Sequence, residues 1–263
     1  MEKDDVAVTN EAFWDREVEK RVGCTIPWLD LDADVLRQFA RGELEPVPEL
    51  LARRADFPAM LLADVEGRDV LCLGAGGGQQ SAVYGVLGAR VTVVDLSQRQ
   101  LEGDRRAAEH YGYEIRTVHA DMRDLSCLDD ESFDQVYGTG SCYIPDVRDV
   151  FAGVARALRP GGAYRADFMN PYTEFVDPPD WDGVGYRITR PYAKSERHRQ
   201  DGAMEFRHYL DEVFNGLLDL GFSIRRVLGA PHDTLPDPGL EPGSYRHCGA
   251  FTGGGFTIVA LKG

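Results

Sequence analysis

The feature that most constrains the fold is a short apolar run that passes directly into a glycine cluster. Residues 70–73 read Val-Leu-Cys-Leu, which is typical of a parallel strand covered on both faces. Four of the five residues from 74 to 78 are glycine, which tolerates positive φ and lets the backbone approach a ligand closely. A helical pattern begins near Gln79, and its first amides point into the same space. This turn therefore predicts a site for a polar, nucleotide-type cofactor.

Two further apolar strands end in a carboxylate. The run 91–95 ends at Asp95, at the spacing where doubly wound folds place an acid against ribose hydroxyls. The run 114–121 ends at Asp121. Each acid alone could cap a helix. A glycine turn and two acids at three successive strand ends favour one cofactor site at the carboxyl edge of a parallel sheet.

Charge and cysteine usage narrow the class of protein. The 263 residues include 29 Lys and Arg against 44 Asp and Glu, a formal net charge of −15, so nucleic acid is not expected as a partner. The five cysteines show no CxxC spacing and, with the histidines, no metal-ligand spacing, so we expect a reducing cytoplasm and no metal. No run reaches membrane-spanning length, and no membrane partner is expected.

Strand and helix patterns alternate from about residue 68 onward, which favours an α/β sandwich. Ser97 and Asp146 are the expected N-caps of two of the helices. Pro160-Gly161-Gly162 is expected to end the second of these helices before a strand over 163–169. A further helix is predicted from Phe206 to Gly221, and strands over 222–228 and 256–261 close the chain.

Two regions lie outside this alternation. Residues 1–67 carry helical patterns, including one over 50–62, and are predicted to form an N-terminal helical cover on a cofactor-binding domain over 68–263. Residues 170–203 are rich in Pro, Asp and aromatic residues. A loop of that length is usually functional, so we predict a lid-like insertion there, with packing of the aromatic residues on the core as the alternative.

The ordered motifs of residues 65–170 resemble those of the class I S-adenosylmethionine-dependent methyltransferases. They are Val-Leu-Cys-Leu-Gly-Ala-Gly-Gly-Gly-Gln (70–79), Val-Val-Asp-Leu-Ser (93–97), His-Ala-Asp-Met-Arg-Asp-Leu (119–125), Phe-Asp-Gln-Val-Tyr (133–137) and Leu-Arg-Pro-Gly-Gly (158–162). The resemblance implies a doubly wound, mostly parallel seven-stranded sheet with a reversed last strand. It also implies S-adenosyl-L-methionine as cofactor.

Carried over residue by residue, the resemblance assigns roles around the cofactor. Asp95 would bind the ribose hydroxyls, and Asp121 would accept a hydrogen bond from the adenine amino group. Leu96 and Met122 would flank the adenine ring. The remaining assigned positions belong to the glycine loop and to the exit of the fourth strand, which would run past the sulfonium: Gly74, Ala75, Gly76, Gly78, Gln79, Gly138 and Thr139.

Two alternatives stay open. A nicotinamide-dependent oxidoreductase would also suit Gly74-x-Gly76 with Asp95, although the third glycine of its fingerprint would fall at Gln79. A non-catalytic protein that binds S-adenosylmethionine is the second, because methyl transfer often needs no signature residue.

Fewer residues are assigned to the substrate than to the cofactor. We expect a small-molecule substrate. Tyr143 lies where the loop after the fourth strand would meet the substrate, and His208 is a candidate general base at the start of a helix. The aromatic residues Tyr172, Phe175, Trp181, Tyr186 and Tyr192 are candidates for a lid.

Overall fold

The computed structural model describes residues 4–44, 61–139, 141–193, 196–198, 202–229, 237 and 239–263. Within these residues the helices are α1 (Asp5–Lys20), α2 (Ala33–Ala40), α3 (Gln80–Val86), α4 (Gln98–Tyr111), α5 (Val147–Ala157), α6 (Leu210–Asp219) and α7 (Tyr245–Thr252). The strands are β1 (Asp69–Leu73), β2 (Arg90–Asp95), β3 (Ile115–His119), β4 (Phe133–Gly138), β5 (Leu158–Met169), β6 (Glu196–His198), β7 (Met204–Phe206), β8 (Phe222–Gly229) and β9 (Gly255–Lys262).

Seven strands form one sheet in the order β3-β2-β1-β4-β5-β9-β8. The pairs from β3 through β5 are parallel, and β9 runs antiparallel to both of its neighbours. This arrangement confirms the predicted doubly wound sheet with a reversed last strand. The strand order changes direction between β1 and β4, and the crevice at such a point is where open α/β sheets bind ligands.

The alternation of side chains along β1 divides the core into two layers. Leu71 and Leu73 belong to the layer formed with α5 and α6, whereas Val70 and Cys72 belong to the layer formed with α3 and α4. All four side chains are fully buried. The continuous apolar run therefore reflects burial on both faces, as the sequence predicts.

Two predicted boundaries are wrong. β5 begins at Leu158, directly after α5, so Pro160-Gly161-Gly162 lies within the strand, with Leu158 paired to Phe133 of β4. A register shift in this pairing accommodates the irregular segment, in which Gly161 has a φ of +75°. Phe206 ends β7, which pairs with β6, and the following helix starts only at Leu210.

Other local predictions are confirmed. Ser97 caps α4 by accepting a hydrogen bond from the Gln100 amide, and Asp146 caps α5 by accepting one from Arg148. Most of the helix predicted over 50–62 lies outside the described residues. In the described part of the chain, we find no helix whose length and hydropathy would let it cross a membrane.

Candidate functional site

A cavity of about 790 Å³ opens at the carboxyl edge of the sheet. The floor of the cavity is formed by residues at or just after the ends of β1 to β5 and by residues of β9. Helix α1 covers the cavity through Val6, Ala7, Asn10 and Trp14. Eight of the predicted cofactor residues line this cavity: Gly74, Gly76, Gln79, Asp95, Leu96, Asp121, Met122 and Thr139. Ala75, Gly78 and Gly138 belong to the same strand ends and do not line it.

The glycine turn has two separate structural roles. Gly76 lines the cavity with a φ of +71°, and a Cβ placed there would lie 2.9 Å from the Cys24 carbonyl oxygen. Gly78 instead packs on α4, where a Cβ would lie 2.5 Å from the Gly103 carbonyl oxygen. The cluster therefore lets two backbone segments approach closely, the N-terminal segment at Cys24 and α4 at Gly103.

Gln79 fixes the segment before β1 against this turn. Its side-chain amide donates to the carbonyls of Gly23 and Ile26, each at 2.8 Å, while its side chain also lines the cavity. The carbonyl of Gly78 accepts a hydrogen bond from the Trp28 amide at 3.0 Å. Gln79 thus holds the N-terminal segment in place, at the position where a dinucleotide fingerprint would have its third glycine.

Asp95 is a buried carboxyl group that borders the cavity. Burial raises its pKa to about 7, although the hydrogen bond that it accepts from the Ser97 amide at 2.8 Å opposes this shift. The Ser97 hydroxyl donates in turn to Asp15 of α1 at 2.6 Å. An acid this poorly solvated is suited to accept hydrogen bonds from a ligand that replaces water.

Asp121 is paired with Arg123. The guanidinium donates to Asp121 through Nε at 2.9 Å and Nη2 at 2.6 Å, and it also donates to Asp4 through Nη1 at 2.8 Å. Asp4 is the N-cap of α1, and its hydrogen bond to Arg123 is the main reason that its pKa falls to about 2. Arg123 therefore connects a predicted cofactor residue to the first turn of the covering helix.

Further polar contacts hold α1 over the cavity. Glu11 lies 2.9 Å from Nε2 of His119, which is also 2.8 Å from the Leu96 carbonyl oxygen. The buried Asn10 donates from Nδ2 to the carbonyls of Tyr143 and Met204, at 3.3 and 3.1 Å. With the bonds that Asp4 accepts from Arg123 and Asp15 accepts from Ser97, these contacts attach α1 to the ends of β2 and β3 and to the segment after β4.

The two candidate catalytic residues differ in position. Tyr143 lines the cavity and packs edge-on against Trp14 of α1, with ring centroids 5.4 Å apart. His208 does not line the cavity. It is buried, precedes α6 by two residues, and places Nε2 2.9 Å from the Ser141 carbonyl oxygen.

An ion pair beside the cavity was not predicted from the sequence. Arg165 is fully buried on β5, where it pairs with Asp167 and lies over the Tyr137 ring, 4.1 Å from the ring centroid. Asp167 lines the cavity and accepts a hydrogen bond from the Thr257 hydroxyl of β9. The sequence signal that could have indicated this pair is two charged residues at positions i and i+2 within an apolar run. This spacing places both side chains on one face of a strand.

The aromatic residues of the segment 170–193 pack elsewhere. Trp181 and Tyr186 form a cluster with His247 and Phe251 of α7, and Tyr186 Oη lies 2.8 Å from His247 Nδ1. Phe175 stacks on Tyr192. None of the described residues of 170–193 lines the cavity. The predicted lid role remains a prediction.

Comparisons with known proteins agree with this geometry. A family model described as "Methyltransferase domain" matches residues 70–162. The uncharacterized methyltransferase YbaJ of Bacillus subtilis is 33% identical over 229 residues, which cover 82% of this chain and 87% of that protein.

Two solved structures share the fold. An S-adenosylmethionine-dependent methyltransferase from Mesorhizobium loti matches with a TM-score of 0.63 and 23% identity, over 89% of this chain and all of that one. The 1,6-didemethyltoxoflavin-N1-methyltransferase of Burkholderia thailandensis, bound to 1,6-didemethyltoxoflavin and S-adenosylhomocysteine, matches with a TM-score of 0.55 and 17% identity, over 97% and 88%. With the seven-stranded sheet and the cavity at its switch point, these findings show that the chain belongs to the class I S-adenosylmethionine-dependent methyltransferases.

Proposed function

We propose that this enzyme transfers a methyl group from S-adenosylmethionine to a small molecule bound in the same cavity. The observation that carries the proposal is the division of the cavity lining. Gly74, Gly76, Asp95 and Asp121 lie at or just after the ends of β1 to β3 on one side, aromatic and apolar residues of β5 and β9 lie on the other, and α1 covers both. A volume of about 790 Å³ is in the range of small-molecule sites.

The residues on the β1–β3 side fit the cofactor. Gly76 lines the cavity, and its missing Cβ lets the Cys24 carbonyl approach the turn closely. The buried carboxyl group of Asp95 lines the same cavity. We assign Asp95 to the ribose hydroxyls, Leu96 and Met122 to the faces of the adenine ring, and Gly74, Gly76 and Gln79 to the methionine part. In this assignment Asp121 meets the adenine amino group while Arg123 orients its carboxylate.

The protein's contribution to the reaction is orientation and the exclusion of water. S-adenosylmethionine supplies an already activated methyl group on its sulfonium. Trp14 and Tyr143 form a wall that would hold the acceptor in line, and α1 shields the cavity from solvent. Positioning of this kind lowers the barrier of a bimolecular step without a dedicated acid or base.

The composition of the other half supports a small aromatic or apolar substrate. Phe168 and Phe256 stack with centroids 5.5 Å apart, and both line the cavity together with Met169 and Leu228. The Burkholderia enzyme, which shares the fold, binds 1,6-didemethyltoxoflavin. The net charge of −15 further disfavours a nucleic acid, and the proposed location is the cytoplasm.

Calorimetry with S-adenosylhomocysteine and with NADH tests the cofactor half of this proposal. We expect binding of the first alone, and loss of that binding in Gly76→Ala. Gly67→Ala is the matched control, because Gly67 has a similar φ of +68° and a Cβ added there would meet nothing within 4 Å. Binding of NADH alone would contradict the proposal.

A metabolite extract tests the substrate half. Incubation with S-adenosylmethionine labelled on the methyl carbon should transfer the label to a compound of low molecular mass. Label in RNA or protein only would contradict a small-molecule substrate, and binding without any transfer would favour the non-catalytic alternative.

A further inference from the structure

We propose that Asp167 is a substrate-binding residue that selects molecules carrying an N–H or O–H donor on an aromatic or apolar body. The inference rests on the proposed function, because it assigns substrate to the β5–β9 half of the cavity. It adds the chemical class of the group that is recognised there.

The place of Asp167 in the sheet puts it next to the reaction site. Gly138 of β4 pairs with Ala166 of β5, so Asp167 lies one position nearer the carboxyl edge, at the level of Thr139. On its other side Asp167 pairs with Thr257 of β9. Thr139, Asp167 and Thr257 all line the cavity. A ligand that extends past the end of β4 would therefore meet the Asp167 carboxylate.

Neighbouring side chains fix the orientation of the Asp167 carboxylate, which remains partly exposed to the cavity. Arg165 is fully buried and pairs with one oxygen, the Thr257 hydroxyl donates to the other, and the Asp167 side chain is still 30% exposed. A third interaction, the hydrogen bond from the Ser141 hydroxyl to the Asp167 carbonyl oxygen at 2.7 Å, fixes the backbone. An oriented acceptor of this kind recognises a hydrogen-bond donor.

The energetics argue against a purely structural role. Burying a guanidinium beside a carboxylate loses hydration that the pairing only partly restores, and apolar residues of similar volume often serve as well. Arg165 lies over the ring of Tyr137, which belongs to the core layer of α3 and α4, so apolar packing is available at this position. Because Arg165 already balances the charge of Asp167, a substrate with a neutral N–H or O–H donor can bind there, and no cationic group is required.

Two matched pairs of probes test the proposal: phenol with anisole, and indole with 1-methylindole. Each pair differs in the donor hydrogen and keeps the aromatic body. Their affinities are measured by ligand-observed NMR in the presence of saturating S-adenosylhomocysteine. The wild-type protein should prefer phenol and indole by about tenfold, the usual worth of a hydrogen bond to a charged group. Asp167→Asn should reduce this preference, because the amide is a weaker acceptor.

A double variant covers the case in which Asp167→Asn leaves Arg165 unpaired and fails to fold. Arg165→Met with Asp167→Asn removes both charges and should fold, bind S-adenosylhomocysteine normally and lose the preference for donors. An unchanged preference in the variant that folds would overturn the proposal. Equal binding of both members of each pair to the wild type, or no probe binding, would also overturn it. Failure of S-adenosylhomocysteine to bind would instead contradict the proposed function.

Discussion

Asp95 combines burial with a position at the cavity, so its titration should be visible in cofactor binding. Its pKa of about 7 means that the carboxyl group is largely protonated below that pH in the free protein. In the proposed site the ionised carboxylate offers one accepting oxygen to each ribose hydroxyl, whereas the protonated form turns one of these oxygens into a donor. The affinity for S-adenosylhomocysteine should therefore fall as the pH drops below about 7 and level off above it.

Asp95→Asn separates this residue from other titrating groups. Calorimetry between pH 5.5 and 8 should give an affinity at least about tenfold weaker at pH 8, since hydrogen bonds to a charged group contribute roughly 1.5 to 3 kcal/mol. The pH dependence should be flatter than in the wild type. An equally steep profile in the variant would assign the titration to another group.

Asp104 should make the stability of the fold depend on pH. It is fully buried behind the glycine turn, where it accepts from the Gly78 amide and the Ser81 hydroxyl, and burial raises its pKa to about 7. Between about pH 4 and 7 the folded protein keeps a proton that the unfolded chain releases. The bound proton therefore contributes to the free energy of unfolding. This contribution is complete below about pH 4, declines between pH 4 and 7, and is lost as the pH rises through 7.

Asp104→Asn removes the titrating group with little change of shape. Urea unfolding at pH 5, 6, 7 and 8 should show a smaller decline in the free energy of unfolding than in the wild type. Glu102→Gln is the matched control, because Glu102 lies exposed on the same helix. If both variants follow the wild-type slope, Asp104 does not carry this dependence.

Among the helices, α1 is the one whose attachment should control access to the cofactor. Asp4→Asn removes the ion pair with Arg123 and keeps an N-cap residue of similar quality. Hydrogen exchange in the first turn of α1 should become faster. Dissociation of S-adenosylhomocysteine in stopped-flow experiments should accelerate about two- to fivefold, as fits a partly exposed ion pair.

Asp5→Asn provides the control for this prediction. Asp5 is exposed in the same turn and its substitution changes the net charge equally. Equal acceleration in both variants would indicate a general charge effect and not the tether.

The segment after β5 makes a different prediction, because its aromatic residues contact α7. Trp181→Ala should lower the hydrogen-exchange protection of α7 and leave the affinity for S-adenosylhomocysteine unchanged. Val184→Ala, at an 87% exposed position nearby, should change neither quantity. A loss of affinity in Trp181→Ala would show that this cluster supports the cofactor site. Added protection of 170–193 with cofactor product and substrate bound would support the lid role.

The sheet was predictable because each strand is a local pattern. The apolar run at 70–73 and the acids at Asp95 and Asp121 are readable from short windows, and parallel pairing then brings their ends to one edge. The contacts that hold α1 are not local: Asp15 meets Ser97 across 82 positions. Arg165 and Asp167 were missed for a different reason: their spacing of two positions is local, but they lie in a strand that otherwise reads as core.

The order of the strands predicts how the two halves of the cavity behave together. β2, which carries Asp95, and β5, which carries Asp167, are three strand positions apart, or about 14 Å at the usual spacing. Substitutions at such a separation, without shared partners, normally have additive effects. Asp95→Asn should therefore weaken S-adenosylhomocysteine and leave the donor preference of the aromatic probes unchanged at saturating cofactor product. Asp167→Asn should reduce the donor preference and leave the affinity for S-adenosylhomocysteine unchanged. For each of these two binding free energies, the variant with both changes should show the sum of the effects of the single variants within about 0.5 kcal/mol. A larger departure would mean that the two halves move as one unit, with α1 as the element that contacts both.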